Sequence, residues 1–285
     1  MKKVWNSTLV AVLLAVFIFF LLFAFPGKAV LGPDIFIFGL QIHLYSLFMA
    51  VGLLLAYSVS RRTALAGDFS GSKFDAITLA GLIGGVVGAR LFFVLGHWPD
   101  YYRAHGNEIF NLTNGGLSFY GALIGGLVAI VLVRSFFKFS LFRVLDYFSL
   151  GLPVGQAIGR LGNYFNQEAF GSPTNLPWKM FVTPNSRPAG YENSSFFHPT
   201  FLYEAIGLLL IFWLLQKMKF RVKTTGLLFA VYAIFSASLR IFIEDMRLDA
   251  LDFAGLKISL VAATLLLISG LLVLLRRNRY RGEIE

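Results

Sequence analysis

The chain has 285 residues, 57% of them hydrophobic and 14% charged, with a mean hydropathy of +0.71. That composition excludes the soluble globular classes and points to a polytopic membrane protein. Its formal net charge is +10, but the cations sit at alternate ends of apolar runs rather than in one patch, so nucleic acid is not the implied partner. No cysteine is present, which removes disulfides and thiolate metal sites. His43, His97, His105 and His198 lack metal-ligand spacing, so no metal centre and no cofactor is expected.

The first stretch, MKKVWNSTLVAVLLAVFIFFLLFAFPGKA, has the positive start and apolar run of a signal peptide. The run is long enough to span, and no convincing small-x-small cleavage motif follows. The expectation is a retained signal-anchor helix over 8–25, with a cleaved signal as the alternative, and with residues 1–32 as anchor and linker and 33–285 as the membrane domain. Further spans are predicted at 44–60, 76–95, 117–136, 145–162, 200–216, 225–243 and 256–275, since about 17 to 25 apolar residues cross a hydrocarbon core of about 30 Å. If each run crosses once, Arg61, Arg62, Lys73, Arg134, Lys138, Arg143, Lys217, Lys219, Arg221, Lys223 and the arginines from Arg276 onward share one side, which the positive-inside rule makes cytoplasmic. Loops 97–116 and 166–197 then face outward. Pro173, Pro177, Pro184, Pro188 and Gly190 make 172–197 an ordered loop or flap rather than a helix.

Glycines recur at helical spacing: Gly81, Gly84, Gly85 and Gly88, then Gly121 and Gly125, then Gly151, Gly155 and Gly159. Such faces let helix backbones approach closely in lipid, so these three helices are expected to form a compact centre.

Ionisable groups within spans are functional candidates by default. Arg90 lies near the outward end of its helix, His43 and Tyr120 at outward starts, Arg160 at an outward end, Glu204 at an outward start, and Arg240, Glu244 and Arg247 in the outward third of the next span. Asp146 alone sits at the inner end. A transporter needs polar groups near the midplane and access from both faces, whereas this one-sided cluster suits an enzyme acting on a lipid headgroup.

Arg240, Glu244 and Arg247 follow i, i+4, i+7 and are expected on one helical face. Two readings stay open: a structural ladder in which Glu244 neutralises both arginines, or an arginine left partly unpaired to hold an anion, with Arg160 as a second clamp. Glu204 is suited to orient an arginine. His198, before Pro199, reads as a helix cap or structural hydrogen-bonding group. Asn163 and Asn166 read as partners for backbone groups of the adjoining turn.

GRLGNYFNQEAFG at 159–171 closely resembles the signature G-R-x-G-N-[FY]-x-N-x-E-x-x-G of the prolipoprotein diacylglyceryl transferases, bacterial enzymes that attach diacylglycerol to lipoprotein precursors. HLY at 43–45, GAR at 88–90, GGLSFYGALIGG at 115–126, Asp146, HPTFLYE at 198–204 and LRIFIEDMR at 239–247 extend the resemblance from about residue 33 to 276. It implies an all-α polytopic membrane bundle of seven core transmembrane helices, here with one extra N-terminal helix. The activity it implies is transfer of the diacylglyceryl group of phosphatidylglycerol to the lipobox cysteine of prolipoproteins, forming a thioether and releasing glycerol phosphate. This is the first step of bacterial lipoprotein maturation, and the site would face the outer side of the inner membrane.

By the same resemblance Arg160 and Arg240 would bind the phosphate and stabilise the leaving group. Asn163, Asn166, Glu168 and Gly171 carry over from the signature, Glu244 and Arg247 from the later helix, and His43 and Tyr45 as lining residues, beside Glu204 as the residue that orients an arginine. Two positions depart from the pattern. Tyr120 stands where the family has a histidine proposed as the thiol's base, and Ser236 stands where the pattern often has tyrosine. A phenol with a pKa of about 10 is a poor neutral-pH base, while a thiol near about 8.5 needs little help beside guanidiniums. The expectation is thiolate stabilisation by the arginine pair, with Tyr120 as a hydrogen-bonding group. An inactive scaffold is the alternative that the missing histidine raises.

Overall fold

The computed structural model describes residues 25–27, 32–111, 115–222, 224–248, 252–253 and 256–282. All but the last residue of the predicted span at 8–25, and most of the anchor and linker, lie outside these residues. Among the described residues seven helices of 19 residues or more succeed one another: α1 (Leu44–Ala66), α2 (Gly71–Gly96), α3 (Phe119–Phe137), α4 (Leu141–Gly162), α5 (Thr200–Met218), α6 (Leu227–Met246) and α7 (Ile258–Gly282). Each takes up one predicted span from 44 onward. All except α4 are long and apolar enough to cross a membrane, by length and composition. Arg143, Asp146 and Arg160 make α4 more polar, and they include the charge that opens the signature.

The fold is a polytopic helical one, to which three short antiparallel ribbons are added that the hydropathy pattern did not anticipate: β1 (Asp34–Ile37) with β2 (Leu40–His43), β3 (Met180–Phe181) with β4 (Phe196–Phe197), and β5 (Asp252–Phe253) with β6 (Leu256–Lys257).

Two compact units divide the chain: residues 57–148, and residues 1–56 with 149–285. In the unit of residues 57–148, α2 and α3 meet along glycines. A Cβ on Gly88 would lie 2.4 Å from the carbonyl oxygen of Gly121, and one on Gly125 would lie 2.3 Å from that of Gly84. No side chain fits at those distances, so the two backbones touch and gain dispersion contacts along the whole seam. Both helices start on serine caps: Ser70 Oγ accepts from Lys73 N at 3.5 Å and Ser118 Oγ from Gly121 N at 3.3 Å. Arg90 donates from Nε to the Ile109 carbonyl, from Nη1 to those of Gly115 and Gly116, and from Nη2 to that of Glu108, at 2.7 to 3.0 Å. It therefore clasps the connection between α2 and α3. At the other end of α2, Arg61 grips Asp75 through Nε and Nη2 at 2.7 and 3.0 Å while the Tyr57 hydroxyl donates to the same carboxylate at 2.8 Å.

The other unit has its own seam. A Cβ on Gly155 of α4 would lie 2.6 Å from the Gly52 carbonyl oxygen of α1. The glycine faces expected to gather three helices at one centre thus serve two pairs, because Gly52, unremarked in the sequence, supplies the partner for α4. Gly207 receives Leu239 and Gly270 receives Ile234, so α5, α6 and α7 pack in series. Loop 163–199 is ordered around Tyr164, Phe165, Phe170, Met180, Phe197 and Phe201. Phe25 completes this core. It is almost fully buried, 6.4 Å from the rings of Tyr164 and Phe201, and its carbonyl accepts from Phe181 N at 2.8 Å.

Candidate active site

Arg160 in the last turn of α4, Glu204 near the start of α5 and Arg240 on α6 converge. Arg160 Nη2 donates to Glu204 Oε1 at 2.9 Å, and Arg240 Nη1 donates to Glu204 Oε2 at 3.1 Å. One buried carboxylate therefore holds two guanidiniums, one on each oxygen. Arg240 Nη2 also lies 2.5 Å from Glu244 Oε2, and the Ser259 hydroxyl donates to Oε1 of that fully buried carboxylate. Arg247 is within electrostatic reach of Arg240.

The arginine side chains remain 29% and 18% exposed, for Arg160 and Arg240 respectively, while their carboxylate partners are buried. A guanidinium has five N–H donors, of which Arg160 uses one on Glu204. What remains is a fixed pair of cationic forks with donors left for an anion. Glu244 pairs with Arg240, and Glu204 ties Arg240 to Arg160.

The signature turn is built around Glu168. Asn163 Nδ2 and Asn166 Nδ2 donate to its Oε1 at 2.8 and 3.1 Å, so the asparagines expected to bond the turn's backbone bond its carboxylate. An ionised carboxylate is the stronger acceptor, which draws the amides to it. The residues on either side of Glu168, Gln167 and Ala169, have φ of 52° and 56°. Left-handed backbone at two non-glycine residues is held by what surrounds it. Gln167 accepts from Thr183 N and donates to the Tyr164 carbonyl, both at 3.0 Å, and the Ala169 carbonyl takes Thr200 Oγ1 at 2.7 Å and Phe201 N at 2.9 Å. Gly171 N donates to the His198 carbonyl at 2.8 Å, and a Cβ at Gly171 would lie 2.7 Å from the Met246 carbonyl oxygen. Glycine is required there by close approach. Beside the turn, a cavity of about 460 Å³ is lined by Phe165, Asn166, Gln167, Glu168, Thr183 and Ser186 among others.

Tyr45, in the first turn of α1, rests its ring on Gly162, where an added Cβ would be 3.1 Å away, and lies within electrostatic reach of Glu168 and Arg160. His43 precedes the helix in β2, exposed and paired with Asp34 across the ribbon. Tyr120 belongs to the unit of residues 57–148, in the first turn of α3, edge-on to Phe119 at 5.6 Å.

Arg247 corrects an expectation. It is not on the helical face of Arg240 and Glu244, because α6 ends at Met246 and Arg247 turns extended (φ −84°, ψ 136°) to bridge Gly171. Of the two roles read for His198, its contacts fit hydrogen bonding and not capping: Pro199 holds the cap position of α5, and His198 Nδ1 lies 3.1 Å from the Tyr203 hydroxyl, which also accepts from Trp178 Nε1 at 2.8 Å. Ser236 hydrogen-bonds Tyr232, one turn earlier on α6, whose hydroxyl donates to Gln156 Oε1 at 3.1 Å. Ser259 and Gln167 are contributors that sequence reasoning missed. Gln167 lay inside the signature at one of its variable positions, and Ser259 had no motif around it.

The family model described as prolipoprotein diacylglyceryl transferase matches residues 33–276. A phosphatidylglycerol–prolipoprotein diacylglyceryl transferase from Thermotoga maritima is 41% identical over 279 residues, 95% of this chain and 94% of that one. Proteins of the same name from Acaryochloris marina and Synechocystis sp. are 37% and 34% identical over 235 and 247 residues, covering 81% and 84% of this chain and 85% and 87% of theirs. With the match running from the first ribbon into the last helix, through the arginine pair and the Glu168 turn, this chain belongs to the prolipoprotein diacylglyceryl transferase family.

Proposed function

We propose that this chain transfers the diacylglyceryl group of phosphatidylglycerol to the lipobox cysteine thiol of prolipoproteins. The observation that carries this reading is the pair of arginines tied through Glu204. The substrate phosphodiester has one negative charge, which Arg160 and Arg240 hold by their free donors. The sulfur attacks the glyceryl carbon bonded to the phosphate oxygen, an S–C bond forms, the C–O bond breaks, and its electron pair leaves with glycerol phosphate. Charge grows on that leaving group, where two guanidiniums already fixed by buried carboxylates stabilise it without reorganising. The thiol ionises readily beside these cations. Its proton goes to water or to a protein group, with Tyr120 as a hydrogen-bonding group rather than a base.

In this reading Glu168, in its asparagine cradle, and Tyr45 line the substrate position, and His43 stands at its lipid side. Gly171 and Arg247 hold the signature turn against the end of α6, and Glu204 and Glu244 orient the arginines. Residues 33–285 form the transferase domain, after the anchor and linker 1–32. The protein is a multi-pass protein of the bacterial inner membrane. The basic ends of its helices support placing the active site at the outer face, where signal peptides with a lipobox emerge.

The test is transfer from phosphatidylglycerol to a reduced lipobox peptide by purified protein. Wild type should form the thioether, and Arg160→Ala and Arg240→Ala should each lose about 10²–10³-fold. Full activity in both variants would overturn the mechanism, and no transfer by folded wild type would favour the scaffold. Tyr120→Phe decides the smaller question: near-normal activity sends the proton elsewhere, while a dead variant makes the phenol essential.

A further inference from the structure

The ribbon before α1 has a polar base and an apolar tip. Asp34 pairs with His43 and accepts from Gln41 Nε2 at 2.9 Å, and Leu44 N donates to the Pro33 carbonyl at 2.8 Å, closing the base onto the helix. At the other end Ile37 pairs with Leu40 across a two-residue turn, Phe38–Gly39, with φ of 50° and 79°. Turns of this kind favour asparagine, aspartate or glycine at the first position, and a bulky side chain there opposes the backbone preference. Here a phenylalanine occupies it, 102% exposed, between Phe36 at 73% and Leu40 at 69%. Ile37 and Leu40 share one face of the ribbon and Phe36 lies on the other, so exposed apolar side chains stand on both sides of a strained tip, which marks a contact site rather than ordinary protein surface.

The adjoining helix indicates the occupant. α1 begins at the residue after β2, and its exposed Leu47, Val51 and Leu54 continue the apolar surface along a helix able to cross a membrane. Four strand residues at about 3.3 Å each put the tip roughly 13 Å from the base, a reach comparable to the depth at which interfacial segments bury their apolar side chains. Phenylalanine and leucine are among the side chains that interfacial segments bury at the boundary of headgroups and acyl chains. We propose that the 34–43 ribbon is a wedge that inserts its Phe36–Leu40 tip into the lipid interface and so fixes its base, with His43, at the edge of the bilayer.

Because the chain has no cysteine, Phe38→Cys offers a single attachment point for a nitrobenzoxadiazole label. In vesicles of phosphatidylcholine and phosphatidylglycerol the label should emit to the blue of its emission in water. Lipids with a nitroxide high on the acyl chain should quench it several-fold more than a label at Asn193→Cys, an exposed loop position. Phe36→Cys repeats the measurement with Phe38 intact, and thermal unfolding checks each labelled protein. Water-like emission with quenching no greater than at Asn193 would overturn the proposal. So would a label that leaves water only when a lipobox peptide is added, which would assign the tip to the peptide. The readout is the label's surroundings, so it stands apart from the transfer assay.

Discussion

Arg90 and Arg160 invite comparison. Each comes directly after a small residue on a glycine-faced helix, in GAR and GR, and each lies toward the same predicted side of the membrane. Arg90 is buried and gives four of its five N–H donors to backbone carbonyls, all of them neutral acceptors. Arg160 has one charged partner, shared with Arg240, and stays partly exposed. An arginine spent mainly on carbonyls serves as a clasp, whereas one steered by a buried carboxylate, in the function proposed above, is a presented charge. The residue type is the same, and its acceptors decide its role.

The largest effect that would break this comparison is at Glu204. Glu204→Gln removes the charge that compensates two guanidiniums, and breaking such a buried pair costs about 3–5 kcal/mol. Chemical denaturation in detergent should show that loss, and transfer activity should fall with it. An unchanged denaturation midpoint would mean the arginines are not held by this carboxylate.

Next come the arginines themselves, where stability and activity should separate. Arg160→Ala should lower the unfolding midpoint less than Glu204→Gln does, because Glu204 keeps Arg240, while losing about 10²–10³ in kcat. Arg90→Ala should do the reverse, since four carbonyls lose their donor and the helix connection loosens, lowering thermal stability while the folded fraction still turns over. If both variants lost activity in proportion to stability, the distinction between clasp and presented charge would fail. The α2–α3 seam is a smaller case. Gly88→Ala puts a methyl 2.4 Å from a backbone oxygen, which the backbones relieve only by separating. The expected loss is about 1–3 kcal/mol in a denaturant titration.

Much of the molecule is legible in its sequence, and the failures have physical causes. Hydropathy placed the helices from residue 44 onward, because backbone in lipid must bond within its own segment and the apolar length is set by the bilayer. The signature identified Arg160, Asn163, Asn166, Glu168 and Gly171 as a group. What it did not disclose was partnership. Glu204 lies 44 residues from Arg160 and 36 from Arg240, so its bridging role belongs to tertiary packing. Asn163 and Asn166 have two possible acceptors, backbone or carboxylate, and only coordinates choose. Arg247 fits a helical face by spacing, but no glycine or proline at 246–248 signals that the helix ends at Met246. Phe25 precedes the family-matched segment and ends a long apolar run, where nothing in the sequence separates a lipid-facing ring from one buried beneath the signature.

The smallest expected effect lies in that signature turn. Ala169 is buried with φ of 56°, its methyl group in a region that an L-residue enters at a cost of roughly 1–2 kcal/mol. Ala169→Gly removes this strain but adds freedom to the unfolded chain, worth about 0.4–1 kcal/mol in the opposite direction. Its carbonyl bonds to Thr200 Oγ1 and Phe201 N are main-chain acceptances that glycine keeps. The net should be a stabilisation of about 0–1.6 kcal/mol, seen as an unchanged or slightly higher midpoint, with transfer activity unchanged because the position of Glu168 is fixed by Asn163, Asn166 and Gln167. If activity falls while the fold is firmer, the strained backbone itself holds the Glu168 carboxylate in place. The left-handed pair around it would then be part of the mechanism rather than a by-product of packing.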